Sequence, residues 1–168
     1  SDIQMMFNSL VNKVKGILLT PVETFQQSRA DDFKAVLIYF APLLLFLAIM
    51  YTIVSLLLTI VLSIFNPFGI AAGIIGSIIG FFIMLIGVPI VAVIATIWLH
   101  ILTYLAGGRK DILQTFKAVI YGMTPSLLLG WIPLVSYLIW IVSIIYTTLG
   151  LRELQEISTE RAIVVMVV

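Results

Sequence analysis

The sequence predicts an all-α fold, a polytopic transmembrane helical bundle, and three observations carry that prediction. From Ala35 to Gly108 the chain holds no Asp, Glu, Lys or Arg, and only His100 could carry charge there. Over the whole chain 62% of residues are hydrophobic and 10% charged, with mean hydropathy +1.23. Soluble domains carry about a quarter charged residues and need charged cover on their outer faces. Lastly, the nine Lys and Arg fall in or beside alternate connections between apolar segments. A hydrocarbon core about 30 Å thick takes about 20 apolar residues per helix, so the charge-free run alone reads as two spans. The expected architecture is four full spans plus a truncated fifth, with an N-terminal amphipathic interfacial helix. Residues 1–32 form the arm and 33–168 the bundle, a single membrane domain.

Residues 3–18 place Ile3, Met6, Phe7, Leu10, Val11, Val14, Ile17 and Leu18 at helical spacing. Gln4, Asn8, Asn12, Lys13 and Lys15 fall largely on the other side. This pattern suits a helix lying in the membrane interface with its lysines toward the headgroups. It suits equally a helix docked under the bundle. The polar interruptions argue against a cleavable signal peptide, and Ser1-Asp2 without Met reads as a processed or cut end. Thr20-Pro21-Val22-Glu23 starts a second helix, with Thr20 as cap, Glu23 at the capping-box position and Pro21 in the first turn. Asp31-Asp32 can cap the next.

The first span is expected over 33–65, long enough to tilt or protrude, with Pro42 as a possible kink. Asn66-Pro67-Phe68-Gly69 is an uncharged turn. The second span, 69–105, carries Gly73, Gly76 and Gly80 at small-residue spacing, which lets helices approach closely in lipid. Packing against the first span is favoured over a dimer seam. Gly87-Val88-Pro89 is expected to bend it. Gly107 and Gly108 form a flexible hinge before Arg109-Lys110-Asp111. A third span, 112–129, contains Lys117, Tyr121, Gly122 and Pro125. Lys117 lies near its start and is expected to snorkel to the headgroups. Trp131 is an interface anchor in the second uncharged turn. The fourth span, 133–149, is expected to end at Gly150 as a C-cap. From Ala162 onward the chain reads as a fifth span cut short, with a C-terminal plug as the other reading.

Orientation follows from the charges. The arm has Lys13, Lys15, Arg29 and Lys34; the Gly-Gly turn region has Arg109, Lys110 and Lys117; the last segment has Arg152 and Arg161. By the positive-inside rule these connections and the N-terminus are cytoplasmic, in a multi-pass cell-membrane protein.

Pro21 with Phe25 precedes the first span, and Gly107-Gly108 precedes a span with Phe116, Tyr121 and Pro125. Gly150-Leu151 then leads to Ser158-Thr159-Glu160-Arg161-Ala162. In these features the chain, from about Ile17, resembles the YIP domain family (Ypt/Rab-GTPase-interacting proteins) in its bacterial and archaeal form. The resemblance implies five membrane helices and a cytosolic N-terminus. Eukaryotic members are linked to Rab GTPases, vesicle transport and the shaping of Golgi and endoplasmic reticulum membranes. Their Asp-Leu-Tyr-Gly-Pro motif is missing here, so GTPase binding is not supported. The resemblance gives a fold more than a function.

The composition narrows the chemistry. The chain has no Cys and one His, and no carboxylate falls inside an expected span. Metal sites, paired catalytic acids and the common proton relays are therefore not expected, nor a cofactor. The glycines at 69–80 lack the lysine and hydroxyl of a phosphate loop. No dense basic patch points to nucleic acid. An enzyme is not expected, and there are no candidate catalytic residues. The candidate lipid or solute contacts are Lys117, Tyr121, Arg109, Lys110 and His100, which could line a cytosol-facing cavity suited to an anionic headgroup. The plainer reading has Tyr121 packed and His100 bonded to a neighbour such as Tyr104. Pro125 with Gly122 is a packing kink or a broken-helix site. Two functions follow: a membrane-organising or trafficking-adaptor-like scaffold with lipids, a protein partner or a second copy as partners, or a small transporter or channel for ion, solute or lipid.

Overall fold

Four segments are helical, long and apolar enough to cross a bilayer: Phe33–Leu62, Pro67–Leu105, Ile112–Leu129 and Ser136–Leu154. The computed structural model describes residues 1–168 and is helical throughout. This is a multi-pass membrane architecture, and its rule is that every backbone polar group in lipid must find an internal partner.

Helix α1 spans Asp2–Leu19 and α2 Pro21–Gln27, followed by a tight 3-10 turn over Ser28–Ala30. Thr20 precedes α2 but does not cap it through its side chain. Its hydroxyl instead donates back to the Gly16 carbonyl at 3.3 Å. Helix α3 spans Phe33–Leu62, capped by Asp32, whose carboxylate accepts from the Ala35 N–H at 2.8 Å. It ends three residues before the expected limit, because residues 64 and 65 tighten onto Val61 and Leu62 as the chain enters the Asn66-Pro67 turn. Helix α4 spans Ile70–Leu105 and packs antiparallel on α3. Pro42 and Pro89 both lie within these continuous helices.

The third segment is broken at the Gly122–Pro125 stretch, where the sequence reads as a packing kink or a broken-helix site. Helix α5 covers Ile112–Gly122 and α6 covers Thr124–Leu129, with Met123 between. Pro125 has no N–H to offer the carbonyl of Tyr121 one turn back. The Thr124 hydroxyl takes that carbonyl instead, at 2.6 Å. Helix α7 spans Ser136–Leu154, starting later and running further than expected. Gly150 is therefore no cap. It lies within α7, where an added Cβ would meet the Phe25 ring at 2.9 Å and the Ala118 Cα at 3.1 Å. Helix α8, Thr159–Val167, is capped by Ser158 and buries Ala162 and Val165 against its neighbours α7 and α4.

The core lies toward one end. Buried positions in α3 run only from Val36 to Ala48, and in α4 from Ala92 to Thr103 apart from Ser77. There α3 and α4 meet α5, α6 and α8, with α7 packed on α5 and α6, around Tyr39, Leu47, Ile120, Leu127 and Leu151. Beyond, α3 and α4 run on as a bare hairpin. Gly73 and Gly80 face Thr59 and Tyr51 across it, while Gly76 faces open space. Ser55 and Ser77 bond each other across the same hairpin at 2.7 Å. The broad end carries the charges.

Candidate functional site

Lys117 is the most unusual side chain at the charged end, because it is fully buried. It projects from α5, which starts at the Asp111 cap. Its Nζ donates to the carbonyl oxygens of Ser28, Arg29 and Asp31, each at 2.9 Å. These carbonyls lie at and just beyond the C-terminal end of α2, where a helix leaves acceptors without partners and carries partial negative charge. Lys117 does not snorkel outward. All three of its protons are engaged, and it fastens α5 to the chain entering α3.

Asp31 is the second hub. Its Oδ2 accepts from the Tyr121 hydroxyl at 2.6 Å and from the Lys13 ammonium at 2.5 Å. Lys13 also stands 4.5 Å from the centre of the Tyr121 ring, a cation–π distance. Tyr39 meets that ring edge-on at 5.0 Å and bonds Thr124 at 2.6 Å. Asp32 already caps α3, which leaves Asp31 for this role. Beside the hub a cavity of about 720 Å³ opens between α1 and α3.

A third group clasps the loops. The buried amide of Gln155 donates to the Thr115 hydroxyl at 2.9 Å and the Asp111 carbonyl at 3.1 Å, and accepts from the Lys110 N–H at 3.1 Å. Thr115 also lies 2.8 Å from His100 Nδ1. Arg29 donates twice to the Glu153 carbonyl, at 2.8 and 3.0 Å. Lys110 pairs with Glu156 at 2.7 Å. Arg109 turns back onto the Tyr104 carbonyl at 2.7 Å and lies 4.1 Å over the Tyr104 ring. Gly107 holds φ +104, a left-handed conformation that favours glycine.

The five candidate contacts thus divide. Lys117 and Tyr121 meet around the 28–31 segment, whereas Lys110, Arg109 and His100 each belong to the loop clasp or its margin. Among the packing candidates, Pro125 sets the α5–α6 break and Gly108 sits against Thr103. Sequence reasoning missed Lys13, Asp31, Tyr39 and Gln155. One signal was present: two adjacent acids where a cap needs only one.

The Lys110 hydrogen bond, with the charges of Lys110 and Arg29, holds the Glu156 carboxyl below its usual range. A lowered folded value means that its stabilising contribution is fully present above the ordinary carboxylate range and is lost as pH falls through the lowered one. Glu156→Gln should therefore flatten the acid limb of the unfolding-midpoint curve below about pH 4.5. An unchanged acid limb would show that the pair contributes nothing to folding.

Compared with known families, residues 15–168 match the model described as the Yip1 domain. No curated protein and no solved structure matches the chain.

Proposed function

The chain belongs to the Yip1 domain family, and from that premise we propose that this multi-pass membrane protein is a non-enzymatic, membrane-organising or adaptor-like scaffold. The observation that carries the reading is the free apolar face of α1. Its C-terminal end is docked, with Ile17 buried and the Tyr146 hydroxyl on the Leu18 carbonyl at 2.8 Å. Its N-terminal half leaves the core, with Ile3, Met5, Met6 and Phe7 all more than half exposed. Such a face in water is unfavourable, and a bilayer interface or a partner would cover it. The basic side chains cluster in the same end of the bundle, so α1 lies on the cytosolic surface of the cell membrane. In this reading the chain is of the prokaryotic YIP type, α8 opens a fifth span, and the partners are lipids and a protein or second copy.

The rival, a small transporter or channel, rests on the helix break at Gly122 and Pro125. There the freed Tyr121 carbonyl is taken by Thr124, and Ser126 and Ser143 bond each other at 2.6 Å. Polar groups engaged with one another across helices favour a closed scaffold.

The chain has no native cysteine, so Phe7→Cys carrying an environment-sensitive fluorophore tests the arm directly. In proteoliposomes the probe should be quenched by lipids labelled near the headgroup boundary. Met5→Glu combined with Phe7→Glu should reduce recovery of partners crosslinked in cells about tenfold. A probe fully accessible to aqueous quencher, with crosslinked partners unchanged by the double substitution, would remove the arm from the function.

A further inference from the structure

The cavity between α1 and α3 has a chemistry of its own. At about 720 Å³ it falls within the ~300–1,000 Å³ of small-molecule sites. Met6 and Leu10 from α1 and Ile38 and Pro42 from α3 give it apolar walls. Lys13, Asp31 and Tyr121 supply a polar patch within the same lining.

That patch is incompletely used. Of three ammonium protons on Lys13, one is accounted for by Asp31. Both bonds to Asp31 fall on Oδ2, and Oδ1 has no partner within the protein. A guest therefore meets N–H donors and a carboxylate acceptor side by side. The charged lining residues are two acids, Asp2 and Asp31, against one base, Lys13. A purely anionic headgroup would face net negative charge, and a purely cationic guest would leave Lys13 unmatched. The walls ask for hydrocarbon.

We propose that this cavity holds a glycerophospholipid with a primary-amine headgroup, its phosphate on Lys13 and its ammonium on Asp31. The guest adds two ion pairs to the existing one, on the spare Lys13 protons and on Asp31 Oδ1, while Tyr121 and Lys13 keep Asp31 in place from Oδ2. A headgroup lacking N–H donors cannot make the Asp31 contact, because it has nothing to donate. Its chains lie between the apolar face of α1 and the first turns of α3, so the lipid joins the arm to the bundle. The proposal rests on reading α1 as a membrane-facing arm but not on the scaffold role.

The test uses the full chain in mild detergent, incubated separately with dioleoyl phosphatidylethanolamine, phosphatidylcholine and phosphatidylglycerol. Native mass spectrometry counts the lipid retained. The expected result is one phosphatidylethanolamine held about tenfold more tightly than either of the others. Asp31→Asn can still accept from Tyr121, and it should bring phosphatidylethanolamine down to the phosphatidylcholine level. Ile38→Trp fills the cavity from a half-exposed position and leaves the polar hub intact. It should abolish selective retention without lowering helix content or the unfolding midpoint. Equal retention of all three lipids, a preference for phosphatidylglycerol, or wild-type retention by Ile38→Trp would overturn the assignment, as would crosslinks placing another copy's arm in the groove. If selection fails while the residue 7 probe still reports the bilayer, the lipid site falls and the arm reading stands.

Discussion

Lys117→Met is expected to lower the unfolding free energy by about 3 kcal/mol, the largest effect of any single polar side chain in the bundle. The reason is the set of charge-assisted bonds that one ammonium makes. Three carbonyl oxygens lose a 2.9 Å donor: those of Ser28 and Arg29 keep the Asp31 N–H at 3.0 Å and the Gln114 side-chain amide at 3.3 Å, while that of Asp31 is left with none. A bond to a charged donor contributes about 1.5–3 kcal/mol, and an unsatisfied buried acceptor costs about 1–3 kcal/mol. Removing a buried ammonium recovers part of that sum, since its desolvation no longer opposes folding. For a chain of this size the net loss corresponds to a midpoint about 10 °C lower. Lys117→Arg should not rescue it, because a planar guanidinium cannot converge its donors on three carbonyls as an ammonium does. Thermal unfolding of the purified protein in lipid nanodiscs measures both variants. A midpoint within 2 °C of wild type would mean that water replaces the lysine, and that α2 is held by other means.

Gly122→Ala should be as damaging, by about 3 kcal/mol, for an opposite reason. Here the variant adds an atom where none fits. The new Cβ would stand 2.7 Å from the Thr147 Cα and 2.8 Å from its backbone nitrogen. Backbone cannot swing aside as a flexible side chain does, so α5 and α7 must separate. Their contact is a central seam of the core, with Gly150 against Ala118 one step along it. Gly76→Ala is the control, since it meets nothing within 4 Å. The expected pattern is a loss of folded yield for Gly122→Ala beside a wild-type profile for Gly76→Ala. Equal behaviour of the two would show that the α5–α7 seam yields easily.

Most of the helix plan was legible because it depends on runs of like residues. The charge-free stretch marked α3 and α4, and Asn66-Pro67 marked the turn between them. Pro125 announced a discontinuity, since a missing N–H is a property of one residue. What replaces that N–H is not, and only the fold shows the Thr124 hydroxyl on the freed carbonyl. Gly150 was misread for a related reason. A glycine before a polar segment looks like a helix end, while its use against Phe25 depends on a helix distant in sequence. Lys117 was the furthest from reach. Its partners are backbone carbonyls, which have no signature in the residue types that carry them, so a lysine near a span's start reads as one that turns outward.

The unequal breadth of the bundle has a consequence for the membrane itself. At the charged end several helices surround the core, whereas past Ala48 and before Ala92 the α3–α4 hairpin runs on without them. In a bilayer such a body displaces more area from one leaflet than from the other. A flat sheet accommodates that difference only under lateral stress, and bending toward the narrow end relieves it. The shape is a wedge, and a bilayer around it is expected to relax by curving, with the charged end on the convex side.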